Sequence, residues 1–272
     1  LEAQKIDFIE LAPLYKFRSS GGGEHAAAND YQKVYSRSID LVSETWTNLL
    51  SERVPNPLPM RRLITDLIDM SKETQDEQML TLAGDEDAQE YVRHTLAGSS
   101  LAILIGAAVG LPDSSLSDLG VAAMFHDIGY TMGEQEMHQG FEDHPVEAAR
   151  VLLKQRGFHE AKIRRLLVAL QHHKNFDAEP APTLFAKIVR IADDYDTLTR
   201  QRSDGPFMAP PDALSLMYGA SGSFYDPALI QVFVNKLGRY PPGSLLQLND
   251  GRWVLSMTGA VSYTHLRAHE TS

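Results

Sequence analysis

Apolar residues recur at helical spacing along most of this chain, and the pattern changes only near its two ends. From residue 30 to 54, Tyr31, Tyr35, Ile39, Val42, Trp46, Leu49 and Leu50 mark one face of a helix, closed by the cluster Pro55-Asn56-Pro57. A second helix is predicted over 60–70, and the two together read as an N-terminal helical connector. From residue 87 the pattern is almost wholly helical, with helices predicted near 87–110, 114–125, 144–156, 159–173, 182–199 and 226–237, divided by Gly, Pro or Asp breaks. The fold class expected is therefore all-α, a helical bundle. Near the C-terminus, apolar runs at 245–248 and 252–255 flank Asn249-Asp250-Gly251, whose residues accept the positive φ of a tight turn, so a small β-hairpin is expected there. The stretch 6–15 is apolar and strand-compatible, and 19–28, rich in Ser, Gly and Ala, reads as a linker. No internal repeat is visible.

These patterns divide the chain into an N-terminal segment and connector (1–86), a main helical domain (87–260) and a tail (261–272). The tail reads as a translated sequencing adaptor fused to a truncated frame, so His265 and His269 are set aside. The chain starts at Leu1 rather than methionine, which leaves room for a segment upstream.

Composition narrows the functions. A chain of 272 residues with 43% hydrophobic content can bury one good-sized core and still carry a smaller accessory part. A formal charge of −11 argues against a broad basic face for a nucleic-acid polymer, yet an acidic protein can bind a phosphate ester where cations neutralise it locally. The absence of cysteine removes disulfides, thiolate metal sites and cysteine nucleophiles, and is compatible with the reducing cytoplasm where the protein is expected. The longest apolar stretch, 96–111, falls short of the roughly 20 residues of a membrane span and reads as a buried helix.

Against this background one ordered series of polar residues stands out. Glu90 and His94 lie four apart on one helical face, although an exposed surface pair looks the same. His126-Asp127 follows an apolar helix and precedes Gly129; an acid so placed can bridge two ions while its neighbour binds one as neutral imidazole. His144 opens a helix at His144-Pro145, and His138 lies in a polar loop before it. His172-His173 ends an amphipathic helix; adjacent residues on a helix point about 100° apart, which suits two metals or a metal and a substrate, while a solvated helix end also favours histidine. Asp193 and Asp196 share a face of an apolar helix and Asp194 points elsewhere. Two acids facing a core require a cation; Asp193 reads as a ligand, and Asp196 as a brace for the structure or for a ligand histidine.

The series His94, His126-Asp127, His144, His172-His173 and Asp193 resembles that of the HD superfamily of metal-dependent phosphohydrolases, and within it the HD-GYP branch that hydrolyses cyclic di-GMP in bacterial signalling. The resemblance runs from about 87 to 255 and includes Tyr240-Pro241-Pro242-Gly243-Ser244 with the hairpin after it. It implies an HD-type bundle holding two divalent ions, or three where Glu90 takes part, with Mn or Fe favoured. It also assigns the chemistry to Asp127 and to Arg202, which falls where the branch places a phosphate-binding arginine. Two positions depart from the branch: Tyr130 stands where relatives carry a phosphate-binding lysine, and Lys174-Asn175-Phe176-Asp177-Ala178-Glu179-Pro180 replaces the Asp-Gly-x-Gly-Tyr-Pro loop.

The function expected from this resemblance is metal-assisted hydrolysis of cyclic di-GMP or a related cyclic dinucleotide. The short span between His173 and Asp193 leaves open a smaller nucleotide or phosphomonoester, and a non-catalytic nucleotide-binding signalling module is the reading from another class. The N-terminal helices could serve a homodimer or transmit a signal, or simply pack on the bundle.

Overall fold

The computed structural model describes residues 24–50, 56–73, 89–132, 142–200, 207–242, 244–247 and 252–256. In chain order these form α1 (Glu24–Leu50), α2 (Pro57–Glu73), α3 (Glu90–Ala108), α4 (Asp113–Met124), a 3-10 turn (Ile128–Met132), α5 (His144–Leu153), α6 (Glu160–Gln171), α7 (Leu184–Thr199), α8 (Pro210–Gly219), α9 (Pro227–Leu237) and strands β1 (Leu245–Gln247) and β2 (Trp253–Leu255). The all-α bundle is present, and so is the hairpin, which pairs Leu245 with Leu255 and Gln247 with Trp253 in antiparallel register.

α3 is buried around its circumference from His94 to Gly106, because a core lies on each of two sides. Leu96 and Ile103 face one core with Val42 and Trp46 of α1, Leu63 and Leu67 of α2, and Phe125 and Ile128. Leu101, Leu104 and Ile105 face a second core with Ile188 and Ile191 of α7 and Phe233 of α9. The N-terminal helices thus share a core with α3, and Trp46 stacks on Tyr91 with ring centroids 4.6 Å apart. Among the described residues, no helix is long and apolar enough to cross a membrane.

Several boundaries differ from expectation. Residues 24–28, read as linker, are helical: α1 starts at Glu24 and runs through Ala26, Ala27 and Ala28, the residue type with the highest helix propensity. The strand-compatible stretch 6–15 and the tail 261–272 lie outside the described residues. α8 was not expected, because Pro210 and Pro211 read as a break. They occupy its first turn, where backbone N–H groups have no helical partner and proline costs nothing. α5 stops at Leu153, short of the expected 156, because the chain turns through Gly157 at φ 81°. That turn is fixed by buried Lys162, whose Nζ donates to the carbonyls of Leu153, Gln155 and Gly157. α9 begins where expected, its first turn capped by Asp226 Oδ1 accepting from the N–H groups of Ala228 and Leu229.

Candidate metal centre

The polar series converges where α3, α5 and α7 meet the ends of α4 and α6. His94 projects from α3, Asp193 and Asp196 from α7, and His144 is the first residue of α5. His126 and Asp127 lie between the end of α4 and the 3-10 turn, and His172 caps the C-terminus of α6 with His173 following. His94, His126, Asp127, His144, His172 and Asp193 are all buried, and His173 is the exposed member.

Their donor atoms form two sets, each within 4.8 Å: His94, His126, Asp127 and Asp193 in one, and Asp127, His144, His172 and His173 in the other. Asp127 belongs to both. Its Oδ2 lies 3.3 Å from His94 Nε2, and its Oδ1 lies 3.3 Å from the Nε2 atoms of both His144 and His172.

Hydrogen bonds on the far side of the rings decide which nitrogens face inward. The Nδ1–H of His126 donates to the Ala123 carbonyl at 2.6 Å, that of His172 to the Ala169 carbonyl at 2.9 Å, and that of His94 to Asp196 Oδ2 at 2.7 Å. Each therefore presents the lone pair of a neutral imidazole Nε2 to the centre, the state in which histidine binds a metal. Other electron-rich atoms lie close to these nitrogens. His94 Nε2 is 3.2 Å from Asp193 Oδ1, while His144 Nε2 is 3.2 Å from His172 Nε2 and 3.1 Å from His173 Nε2. His126 Nε2 and Asp127 Oδ1 are buried without a partner in hydrogen-bond geometry. Buried acceptors facing one another are unfavourable unless a cation lies between them, so these residues fit divalent metal ions.

Without metal, protons take that place. Burial pushes His94 and His126 toward neutrality, but the surrounding carboxylates outweigh it, raising His94 well above the ordinary histidine value and His126 to about 10. Burial would likewise raise Asp127 and Asp193, yet the imidazoles around them hold both well below the usual carboxylate range. His173 moves the other way, down to about 3, through desolvation and the neighbouring His172. Asp194, directed away from the two sets, pairs with Arg190 Nε at 3.3 Å and accepts from Tyr225 Oη at 2.8 Å; burial and the nearby Asp193 raise it to about 6.

The structure does not bring every expected residue together. Glu90 belongs to neither set. It shares a face with His94, but four residues of helix displace it by about 6 Å along the axis, toward the start of α3. His172 and His173 fall in one set rather than two, their Nε2 atoms lying 3.2 and 3.1 Å from that of His144. Arg202 and His138 lie outside the described residues.

Three residues take roles at the centre that the sequence did not give them. Tyr130 stacks on His144 at 4.2 Å between centroids and 17° between planes. Gly129 lets the first turn of α5 press against its backbone. Arg200 reaches Asp196 and His94, and its spacing of four from Asp196 was the available signal.

The HD domain family matches residues 91–198, a span that encloses both sets. Over 194 residues the chain is 27% identical to the cyclic di-GMP phosphodiesterase PA4108 of Pseudomonas aeruginosa, covering 64% of this chain and 46% of that protein. The chain thus spans about half the length of this curated relative. Among solved structures, Bd1817, an HDG"Y"P protein from Bdellovibrio bacteriovorus, superposes with a TM-score of 0.59 at 14% identity, covering 74% of this chain and 69% of that one. Residues 91–198 are thus similar to an HD domain. The fold the chain shares with the Bdellovibrio protein is that of a solved HDG"Y"P protein.

Proposed function

We propose that this protein is a metal-dependent phosphohydrolase whose substrate is cyclic di-GMP or a closely related cyclic dinucleotide. The observation that carries the reading is the pair of donor sets sharing Asp127, with inward lone pairs that only cations can satisfy. His94, His126, Asp127 and Asp193 would hold one ion, and Asp127, His144, His172 and His173 the other. Two such ions, with Mn or Fe suited to this mix of imidazole and carboxylate, would supply water of lowered pKa and neutralise charge on the phosphate oxygens.

The chain's own residues would set the geometry. Asp127 fixes the spacing of the sets, and the carbonyls of Ala123 and Ala169 hold two imidazoles in the ligating tautomer. Exposed His173 marks the side on which substrate enters. Arg202 is assigned to the phosphate. The relative from Pseudomonas supports the choice of cyclic dinucleotide.

A second substrate class is favoured by two particular features. Tyr130, which stands where the HD-GYP branch carries a lysine, lies flat on His144. The segment after His173 is tied to the loop before α9, with Phe176 N–H donating to the Phe224 carbonyl and Asp177 N–H to that of Ser223. A pocket shaped in this way would suit a smaller nucleotide or phosphomonoester. Incubation of Mn-loaded protein with cyclic di-GMP, followed by chromatography, tests the primary reading, which expects linear dinucleotide or GMP to appear. No product from cyclic di-GMP, with turnover in a panel of phosphate esters, would replace it with the second; no turnover of any ester would leave a binding module.

A further inference from the structure

We infer that Arg200 is a positioning residue of this centre, acting through Asp196 to hold His94 in its ligating tautomer; the inference rests on the metal-dependent reading above. Arg200 caps the C-terminus of α7 and is buried. Its Nη2 lies 3.1 Å from Asp196 Oδ2 and 3.1 Å from His94 Nδ1, and its Nη1 donates to the Glu90 carbonyl at 3.4 Å. The guanidinium therefore joins the end of α7 to the start of α3, the two helices that supply Asp193 and His94.

Hydrogen-bond inventory assigns the protons. A guanidinium has no acceptor, so Asp196 Oδ2 is the only atom of the three able to receive both the Arg200 Nη2 proton and the His94 Nδ1 proton. With its carboxylate held from two sides, Asp196 cannot turn away from His94, and the Nδ1–H tautomer is the one that fits. His94 Nε2 then stays bare and directed at Asp127 and Asp193. Burying a guanidinium and a carboxylate is not a favourable way to stabilise a bundle, because an apolar pair fills the same volume without desolvating charge. Their placement behind a metal-ligand histidine gives them a geometric role instead. Arginine suits it because its planar fork engages Asp196 and the Glu90 carbonyl together, which the single ammonium of lysine does less well.

The test uses the full chain carrying Arg200→Ala, Arg200→Lys, Asp196→Asn or the Arg200→Ala/Asp196→Asn pair. Mn2+ affinity is measured by titration calorimetry, the His94 tautomer in the metal-free protein by long-range proton–nitrogen NMR at a pH above the titration of that ring, where it is neutral, and folding by thermal melting. Arg200→Ala is expected to weaken Mn2+ binding about 10- to 100-fold and to mix the His94 tautomers. Arg200→Lys should recover part of each, and the double variant should be no worse than Asp196→Asn alone. A folded Arg200→Ala protein with an unchanged tautomer and an Mn2+ affinity within about threefold of the parent overturns the inference. Should Arg200→Ala fail to fold, Arg200→Lys decides: a mixed tautomer supports the assignment, and parental tautomer and affinity overturn it. A parent that takes up no Mn2+ defeats the metal reading instead, and the tautomer measurement still decides the role of Arg200.

Discussion

A methyl group added at Gly129 gives a sharp test of how the centre is assembled. A Cβ at this position would lie 1.9 Å from the His144 carbonyl oxygen and 2.7 Å from the Ala148 nitrogen, both backbone atoms of α5. Since ordinary contacts begin near 3.4 Å, the start of α5 would have to retreat by more than an ångström. His144 rides on that turn, so the movement would also draw its Nε2 away from Asp127. Overpacking against side chains costs about 1–3 kcal/mol, and rigid helix backbone places Gly129→Ala at or above the top of that range. For a domain of this size, about 3 kcal/mol lowers Tm by roughly 6–12 °C. Gly98 provides the internal contrast: it lies within α3, and a Cβ there would meet no atom within 4 Å, so Gly98→Ala should gain about 0.5–1 kcal/mol from helix propensity. Thermal melts of both variants, with Mn2+ titrations of the folded proteins, distinguish the two effects. A Gly129→Ala protein that melts with the parent and binds Mn2+ equally well would refute the close approach of α5 and the placement of His144 that depends on it.

Two other outcomes follow. His126 in the metal-free protein is raised from 6.5 to about 10, so its contribution to stability is complete below the lower value and lost as pH rises through the upper one. Metal requires the neutral ring, so Mn2+ uptake at neutral pH should release protons and tighten as pH rises; calorimetry in buffers of different ionisation enthalpy checks this, and uptake without proton release would contradict it. Trp46 is buried in the core that α1 shares with α3, so Trp46→Ala should cost about 3–5 kcal/mol and lower the single unfolding transition of the bundle. A melt in which only a minor early transition moved would show α1 to be an independent connector.

The sequence made the helices legible because apolar periodicity and burial are the same fact seen twice: α4, α7 and α9 lie close to where periodicity put them. Proline hid α8, since the residue that breaks a helix interior is also the one best tolerated in a first turn. The gathering of His94, His126, Asp127, His144, His172 and Asp193 could be anticipated from residue types and order, and each residue is buried in the structure. What the chain could not disclose was relative position across helices. Glu90 shares a face with His94 yet belongs to neither donor set, and the Tyr130 ring meets His144 beside the close approach of α5 to Gly129. Arg200 lies two residues before Arg202 in sequence, and tertiary contacts give it a partner on α3.

The most direct measurement of the central claim is the metal content of the purified chain and of two variants, determined by elemental analysis after loading with Mn2+ and removal of free ion. Two ions per chain are expected for the parent. Asp127→Ala should lose both, because Asp127 belongs to both donor sets, whereas His173→Ala should weaken only the set it shares with His144 and His172. A folded Asp127→Ala protein that kept the parental metal content, or a parent that bound none, would contradict the account.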